Sequence, residues 1–359
     1  MMRGRALLVP PLGAAAAGLG AGLLLAALFG ARPGDVLALL SSEALASGYG
    51  IGQVLFRATP LVFAGLAVAL PLRAGLLNIG AEGQMTVGGF AMAIAGVHLA
   101  ALPGPWLWAL CIAAGALAGG LWGGIAGFLK ARTGAHEVIV TILLNFVAAA
   151  LVNYLLVRGY ALPETVRTET IGKGAWMARA GDSLRFFRGS GLSTALPFAI
   201  AVAAACDALL LRSSLGFAWR ILAGGVKRAR YARLDVGRLT ILSLALGGAL
   251  AGVGGSSFVL GQKHYFEEGF AGGAGFLGIA VALLARNRPI AIPASACLFG
   301  FLAQAGLSVN RIVPRELVDV IVGAILIAFI VLDARGRERA PLGAAGAAEP
   351  AAGPAAERR

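Results

Sequence analysis

The stretch GLLNIGAEGQMTVGGF, Gly75–Phe90, decides how the rest of the chain is read. It lies between long apolar runs, yet it carries Asn78, Glu82 and Gln84 among glycines at 75, 80 and 83. Asn78 and Glu82 are four residues apart and would share one face of a helix. The glycines make a helix break or a close backbone approach plausible. Polar, irregular backbone at membrane depth is tolerated only where it lines a cavity or is buried in protein. The patch is therefore a functional-site hypothesis, set against a plain interhelical hydrogen-bond cluster.

Composition supports the membrane setting. Of 359 residues, 58% are hydrophobic and 13% are charged. A soluble domain carries about 25% charged residues. Apolar runs of roughly 20 residues recur along the chain, as membrane spans require. The 53 glycines suit close helix packing in lipid. Working outward, spans are expected at about 6–31, 50–72, 80–101, 105–129, 136–157, 192–211, 238–261, 270–285, 290–307 and 315–332. The first apolar run exceeds the roughly 7–15 residues of a signal-peptide core, so an uncleaved span is expected there. Residues 35–48 read as a short interfacial amphipathic segment. The expected fold is all-α, a polytopic bundle of about ten transmembrane helices. The expected units are an N-terminal span (1–34), a permease domain (35–332) and a disordered cytoplasmic tail (333–359).

The net charge is +13. In a soluble protein that would suggest nucleic acid. Here the basic residues fall between apolar runs, so topology and anionic lipid account for them, and no nucleic-acid partner is expected. With the N-terminus inside, 19 Lys and Arg fall in inner segments and 10 in outer ones. That bias gives an N-in, C-in expectation. It also puts Gly75–Phe90 at the inner end of two spans, as a gate or hinge. Two loops are long. The outer one, 158–192, carries Trp176, Phe186 and Phe187 and is expected to pack over the mouth. The inner one, 212–238, holds seven basic residues and one Asp. Its Phe217, Ile221, Leu222 and Val226 suggest an amphipathic helix, either facing lipid or docking into a cytoplasmic partner.

Chemistry for catalysis is absent from the sequence. There is no G-x-x-x-x-G-K-[ST] loop for ATP, no H-E-x-x-H and no paired cysteines for a metal. Neither catalytic residues nor metal ligands are expected, and no cofactor on this chain. Intramembrane polar residues remain. Glu137, Thr141 and Asn145 repeat every four residues and form one polar stripe, with Asn153 further along. Singly, each reads better as an interhelical hydrogen bond; together with 78/82 they suggest a polar pathway. A spread of such carboxylates keeps a proton-coupled secondary transporter in play. A non-transporting scaffold is disfavoured by the stripes.

Three runs resemble one family: 57–90, ending in GLLNIGAEGQMTVGGF; HEVIVTILLNFVA at 136–148; and GFLGIAVALLARNRPIAIPASACLFG at 275–300. They are similar to ABC-importer permeases of the branched-chain amino acid and simple-sugar superfamily, in the nucleoside branch served by a BMP-type lipoprotein receptor. The resemblance covers about 50–332. It implies a non-enzymatic transport subunit of the bacterial inner membrane that works by alternating access. It also implies a second homologous permease, two ABC ATPase subunits that hold the ATP and Mg, and an extracytoplasmic binding lipoprotein. The implied solute is a nucleoside, with simple sugars or branched-chain amino acids as alternatives. Asn78, Glu82, Gln84, Glu137, Thr141 and Asn145 would line or gate the route. Segment 212–238 would couple to the ATPase through Phe217, Arg220, Arg230 and Tyr231. The family pattern R-A-x-G-x-N-P-x-A-A-R-Y-A-G-I is matched there by Arg220, Ala229, Arg230, Tyr231 and Ala232. It is broken by Ala223, Val226 and Arg233, and His136 stands where Asn is usual. The likeness of GLLNIG (75–80) to GFLGIA (275–280) is too short to prove a repeat.

Overall fold

The computed structural model describes residues 44–309 continuously, with a few isolated positions outside that range. Apart from isolated positions, the expected spans at 6–31 and 315–332, half of the interfacial segment 35–48, and the tail 333–359 lie outside the described residues.

Ten helices, eight longer and two short, organise the described residues. They are α1 (Gly48–Leu72), α2 (Ala81–His98), α3 (Gly104–Thr133), α4 (Glu137–Leu155), α5 (Ala195–Arg212), and two short helices α6 (Ser214–Ala223) and α7 (Val226–Tyr231) leading into α8 (Val236–Gly254). Then come α9 (Ala274–Leu284) and α10 (Ile292–Val309). Among the described residues there are isolated β-bridges but no named strands, so the all-α expectation holds there. Among the described residues, six helical stretches are long and apolar enough to cross a membrane: Gly48–Leu72, Gly104–Thr133, Glu137–Tyr160, Ala195–Arg212, Val236–Val259 and Pro289–Leu307.

Two expected spans come out differently. α2 fills the 80–101 region as an 18-residue helix, but its first turn carries Glu82 and Gln84 and its last residue is His98. It is not among the six. In the 270–285 region only 11 residues are helical. At 1.5 Å per residue that is about 16 Å, half of a hydrocarbon core of about 30 Å. The run reads as a span because it is apolar throughout. Gly272 and Gly273, both at positive φ, start the helix late.

Local chemistry sets the ends. Ser47 caps α1 by accepting from the Gly50 N–H at 3.0 Å. Gly134, at φ 73°, closes α3 in the left-handed conformation that glycine adopts freely. Asp235 caps α8 by accepting from the Arg238 N–H at 3.0 Å. α1 is the central column: nearly every residue from Ala58 to Pro71 is buried, against α8, α9 and α10.

The tightest seam joins α3 to α8. Gly115, Gly119 and Gly123 recur every four residues and meet Leu244, Gly248 and Gly252 backbone to backbone. Small residues permit this approach, which drives helix association in lipid. A Cβ on Gly252 would overlap the Gly115 carbonyl, whereas one on Gly124 would have its nearest neighbour at 3.7 Å. Gly252→Ala is therefore expected to cost about 2–3 kcal/mol through backbone displacement, and Gly124→Ala close to nothing. Thermal unfolding of the two variants in detergent checks this; equal midpoints would count against the seam.

Candidate functional site at the break before α2

The chain leaves α1 through a turn, with Gly75 at φ 79°, and runs without regular structure over 76–79 before α2 begins. Asn78 therefore precedes the helix and does not share a face with Glu82 as the spacing suggested. Its side chain makes the break. The Asn78 carboxamide oxygen accepts from the Gly80 N–H at 3.0 Å and from Gln84 Nε2 at 3.1 Å. Its Nδ2 donates to Ala67 O at 3.1 Å and Gln84 Oε1 at 2.9 Å. The two amides saturate one another in a buried site, as buried polar groups must.

α4 pins the same segment from the other side. Asn145 Nδ2 donates to Ile79 O at 2.9 Å, and its oxygen accepts from the Gly83 N–H at 2.9 Å. Thr141 Oγ1 accepts from the Ile79 N–H at 3.3 Å and donates back to Glu137 O at 2.8 Å. Two members of the α4 stripe thus hold unwound backbone. The third does something else. Glu137 accepts from Lys130 Nζ at 2.6 Å across the α3–α4 corner. Asn145 stands eight residues along α4 from Glu137, about 12 Å. The break therefore sits well inside the bundle rather than at its end, because the irregular residues 76–79 carry the chain back in.

Glu82 is aimed away from this amide network. Its Oε1 accepts from the Gly273 N–H at 2.9 Å and its Oε2 from the Gly275 N–H at 2.7 Å. These are orphan donors at the start of α9, which no intrahelical carbonyl can satisfy. A carboxylate there also opposes the positive end of the helix dipole. A Cβ on Gly275 would overlap the Glu82 amide, so only glycine allows the approach. One side chain thereby clasps the start of α2 to the start of α9, with Gly275 packed against Ala81 and Glu82.

Beside the clasp, α2, α4 and the segment leading into α9 enclose a cavity of about 190 Å³. Of the six residues expected on the route, Glu82 and Asn145 line it; Asn78, Gln84, Glu137 and Thr141 do not. Thr86, Asn153, Phe266 and Glu268 line it too. Asn153 continues the α4 stripe eight residues beyond Asn145, and that spacing could have found it. Nothing in the sequence linked Phe266 or Glu268 to this place.

The basic segment forms α6 and α7, separated by Gly225 at φ 123°. That glycine makes the break where the family pattern has Asn-Pro. The inward face of α6 is Ala218, Trp219 and Leu222, with Trp219 Nε1 donating to Leu239 O at 3.2 Å. The expected apolar face of Phe217, Ile221, Leu222 and Val226 is split, since Phe217 and Val226 are exposed. Of the four coupling candidates, Phe217, Arg230 and Tyr231 face outward, Tyr231 at 90% exposure. The Arg220 guanidinium, although solvent-accessible, turns back to donate to Leu210 O at the end of α5 and lies 5.9 Å from the Phe217 ring. Arg220 fixes α6 to α5. A cavity of about 570 Å³, lined by Lys130 and Arg230 among others, opens between α7 and the turn at 74–76.

At the opposite end, 158–190 is stitched to the segment after α8. Thr168 N–H donates to Phe266 O at 2.9 Å, Ile171 to His264 O at 2.8 Å and Met177 to Leu260 O at 2.9 Å. Trp176 stacks on His264 at 3.9 Å, and Arg179 Nη2 lies 3.1 Å from His264 Nε2. Burial, with Arg179 beside it, pushes His264 down to about 4. The unfolded chain, with an ordinary histidine near 6.5, binds the extra proton first. The stability held in this clasp is thus complete above about pH 6.5 and is lost as pH falls toward 4. Limited proteolysis within 158–190 is expected to be slow at pH 7 and to quicken across that window. A pH-independent rate would contradict the neutral histidine.

A family model described as the permease component of branched-chain amino acid transport systems matches residues 50–330. A glucose ABC transporter permease of Haloferax volcanii is 35% identical over 83% of this chain and 80% of its own length. A guanosine ABC transporter permease of Bacillus subtilis is 34% identical over 86% of this chain and 91% of its own. A nucleoside ABC transporter permease of Lactococcus lactis subsp. cremoris is 30% identical over 86% of each. With its several membrane-capable helices and this break between them, the chain belongs to the permease family of branched-chain amino acid transport systems, as a multi-pass ABC transport subunit rather than an enzyme.

Proposed function

We propose that this chain is a bacterial inner-membrane permease that carries nucleosides into the cytoplasm by alternating access. The observation that carries the reading is the Glu82 clasp between two interrupted elements. Discontinuous helices meeting near the bilayer midplane are where transporters place their routes. Asn145, which holds the Gly83 N–H next to the clasp, stands about 12 Å along α4 from the Lys130–Glu137 corner, which would put the clasp near the middle of a core of about 30 Å. The guanosine and nucleoside relatives support the solute class. The glucose relative favours a sugar as the second reading. Guanosine, other nucleosides and glucose share a ring bearing several hydroxyls.

In this reading the chain is N-in and C-in with about ten spans, arranged as an N-terminal span (1–34), a permease domain (35–332) and a cytoplasmic tail (333–359). Family membership implies ATPase partners and a substrate-binding protein. We assign two ATPase subunits holding ATP and Mg, a second homologous permease and a BMP-type lipoprotein. The lipoprotein delivers solute at the 158–190 face. The ATPase takes the exposed residues of α6 and α7. The Asn78–Gln84 and Thr141–Asn145 pairs hold the break, and Glu82 and Asn145 meet the solute.

The test is uptake into proteoliposomes containing the permeases, ATPases and receptor. Guanosine accumulation is expected to need ATP and to ignore a protonophore. Proton-driven accumulation without the ATPase would sink the reading.

A further inference from the structure

We propose that Arg73 is a positioning residue for coupling: together with Glu82 it ties the segment 73–82 to both ends of α9, so that displacement of α6 against that segment is carried to the break. The inference rests on the import reading above, with α6 and α7 as the ATPase face. It adds the part that links that face to the clasp.

The segment is held at three places. Where it begins, Arg73 Nε donates to Asn287 O at 3.0 Å, in the turn that follows α9. Where it ends, Glu82 accepts from the Gly273 and Gly275 N–H groups, at the start of α9. α9 is 11 residues long, about 16 Å. A helix tied near each end to one short segment shifts along its axis only if the segment moves with it or a tie breaks. The third contact lies between the two ties. A Cβ on Gly75 would stand 3.2 Å from Ala223 Cα and 3.7 Å from Ala223 Cβ. Ala223 is the last residue of α6, so the turn after α1 abuts the end of that helix.

The receiving turn is a strained one. Arg286 and Asn287 stand at φ 51° and 53°. Their N–H groups return to Leu283 O and Ala282 O, each at 2.8 Å. Two successive residues other than glycine in the left-handed region persist only where the surroundings over-determine them. Arg73 is itself poorly placed for a charge. Burial, with Arg288 and Arg220 nearby, pulls its guanidinium below the ordinary arginine range, and Asp207 opposes them. A desolvated cation beside like charges adds little to stability. What its bond to Asn287 O supplies is position.

The experiment uses proteoliposomes holding the full-length chain, its second permease, the ATPases and the receptor, and reads guanosine moved per ATP hydrolysed. Arg73→Met keeps the length of the side chain and loses the donor. It is expected to lower that ratio about tenfold while each assembled complex still hydrolyses ATP. Arg73→Lys restores a donor and is expected to recover most of the ratio. Arg132→Met, at an exposed arginine that takes no part in these contacts, is expected to couple like the parent. A merely structural Arg73 would reduce the amount of assembled complex and leave the ratio alone, which would overturn the inference.

A paired variant, Gly75→Cys with Ala223→Cys, covers the case in which Arg73→Met fails to assemble. The 3.7 Å separation suits a disulfide. Oxidation is expected to form it and to leave uptake unchanged, because the turn and α6 move together. The same preparation is read before and after oxidation, beside the oxidised parent. Failure of the disulfide to form, or arrest of uptake that reduction reverses, would mean that α6 moves past the turn and would overturn the inference. A parent transporter that imports neither nucleoside nor sugar would instead overturn the import reading. Uptake by the parent with an unchanged ratio in Arg73→Met would overturn only the role of Arg73.

Discussion

Glu82→Ala is expected to abolish uptake and to lower the stability of the assembled permease. The substitution strands the N–H groups of Gly273 and Gly275 at the start of α9. An unsatisfied buried donor costs about 1–3 kcal/mol, so the pair is worth about 2–6 kcal/mol. The loss falls where the interrupted elements of the two halves meet. Glu82→Gln separates the roles. Its amide keeps one acceptor oxygen, so assembly is expected to survive with a smaller drop in melting temperature, while uptake falls at least tenfold. Thermal-shift and uptake measurements on the same preparations read both effects. From the sequence alone, Glu82→Ala would be expected to spare assembly. The two backbone bonds reverse that expectation, and wild-type stability in Glu82→Ala would restore it.

The second large effect lies on the basic segment. Tyr231→Ala and Arg230→Glu change side chains that face away from the bundle. Solute-stimulated ATP hydrolysis and uptake are expected to fall more than tenfold, with the melting temperature of the permease unchanged. Charge reversal at a docking rim removes complementarity with the partner rather than folding energy. Arg220→Glu is different. It breaks the tie to Leu210 O, so α6 is expected to detach and the permease to become less stable. Intact stability and coupling in Tyr231→Ala would remove α7 from the ATPase contact.

How far the sequence could be read follows from the kind of contact each residue makes. The membrane setting, the break near Gly75–Gly80 and the short helix in 212–238 were all legible, because composition, glycine and helical periodicity report on local backbone. The shared face of Asn78 and Glu82 was misread for a local reason. Asn78 turns on the Gly80 N–H, and the helix starts after it. The α4 stripe was seen, but its use was not. Glu137 pairs at a corner, Thr141 and Asn145 hold unwound backbone, and only Asn145 and the next polar residue, Asn153, touch the cavity. Contacts across more than a hundred residues, such as Phe266 closing a space beside α4, leave no spacing to read. The α6 face was misassigned because Phe217 looks apolar in a helical pattern, yet Trp219 takes the inward position.

The clasp has a consequence for how such proteins diverge. Glu82 holds main-chain N–H groups, which every residue but proline possesses. What the far side must preserve is room, through Gly275, and a positive φ at Gly273. Paired substitutions will therefore not track this contact. Comparing many relatives for correlated changes would pass over the joint between the halves, while each side, taken alone, would look merely invariant. A carboxylate in one half and two glycines in the other can be kept independently, so either half is free to drift elsewhere without a matching change across the joint.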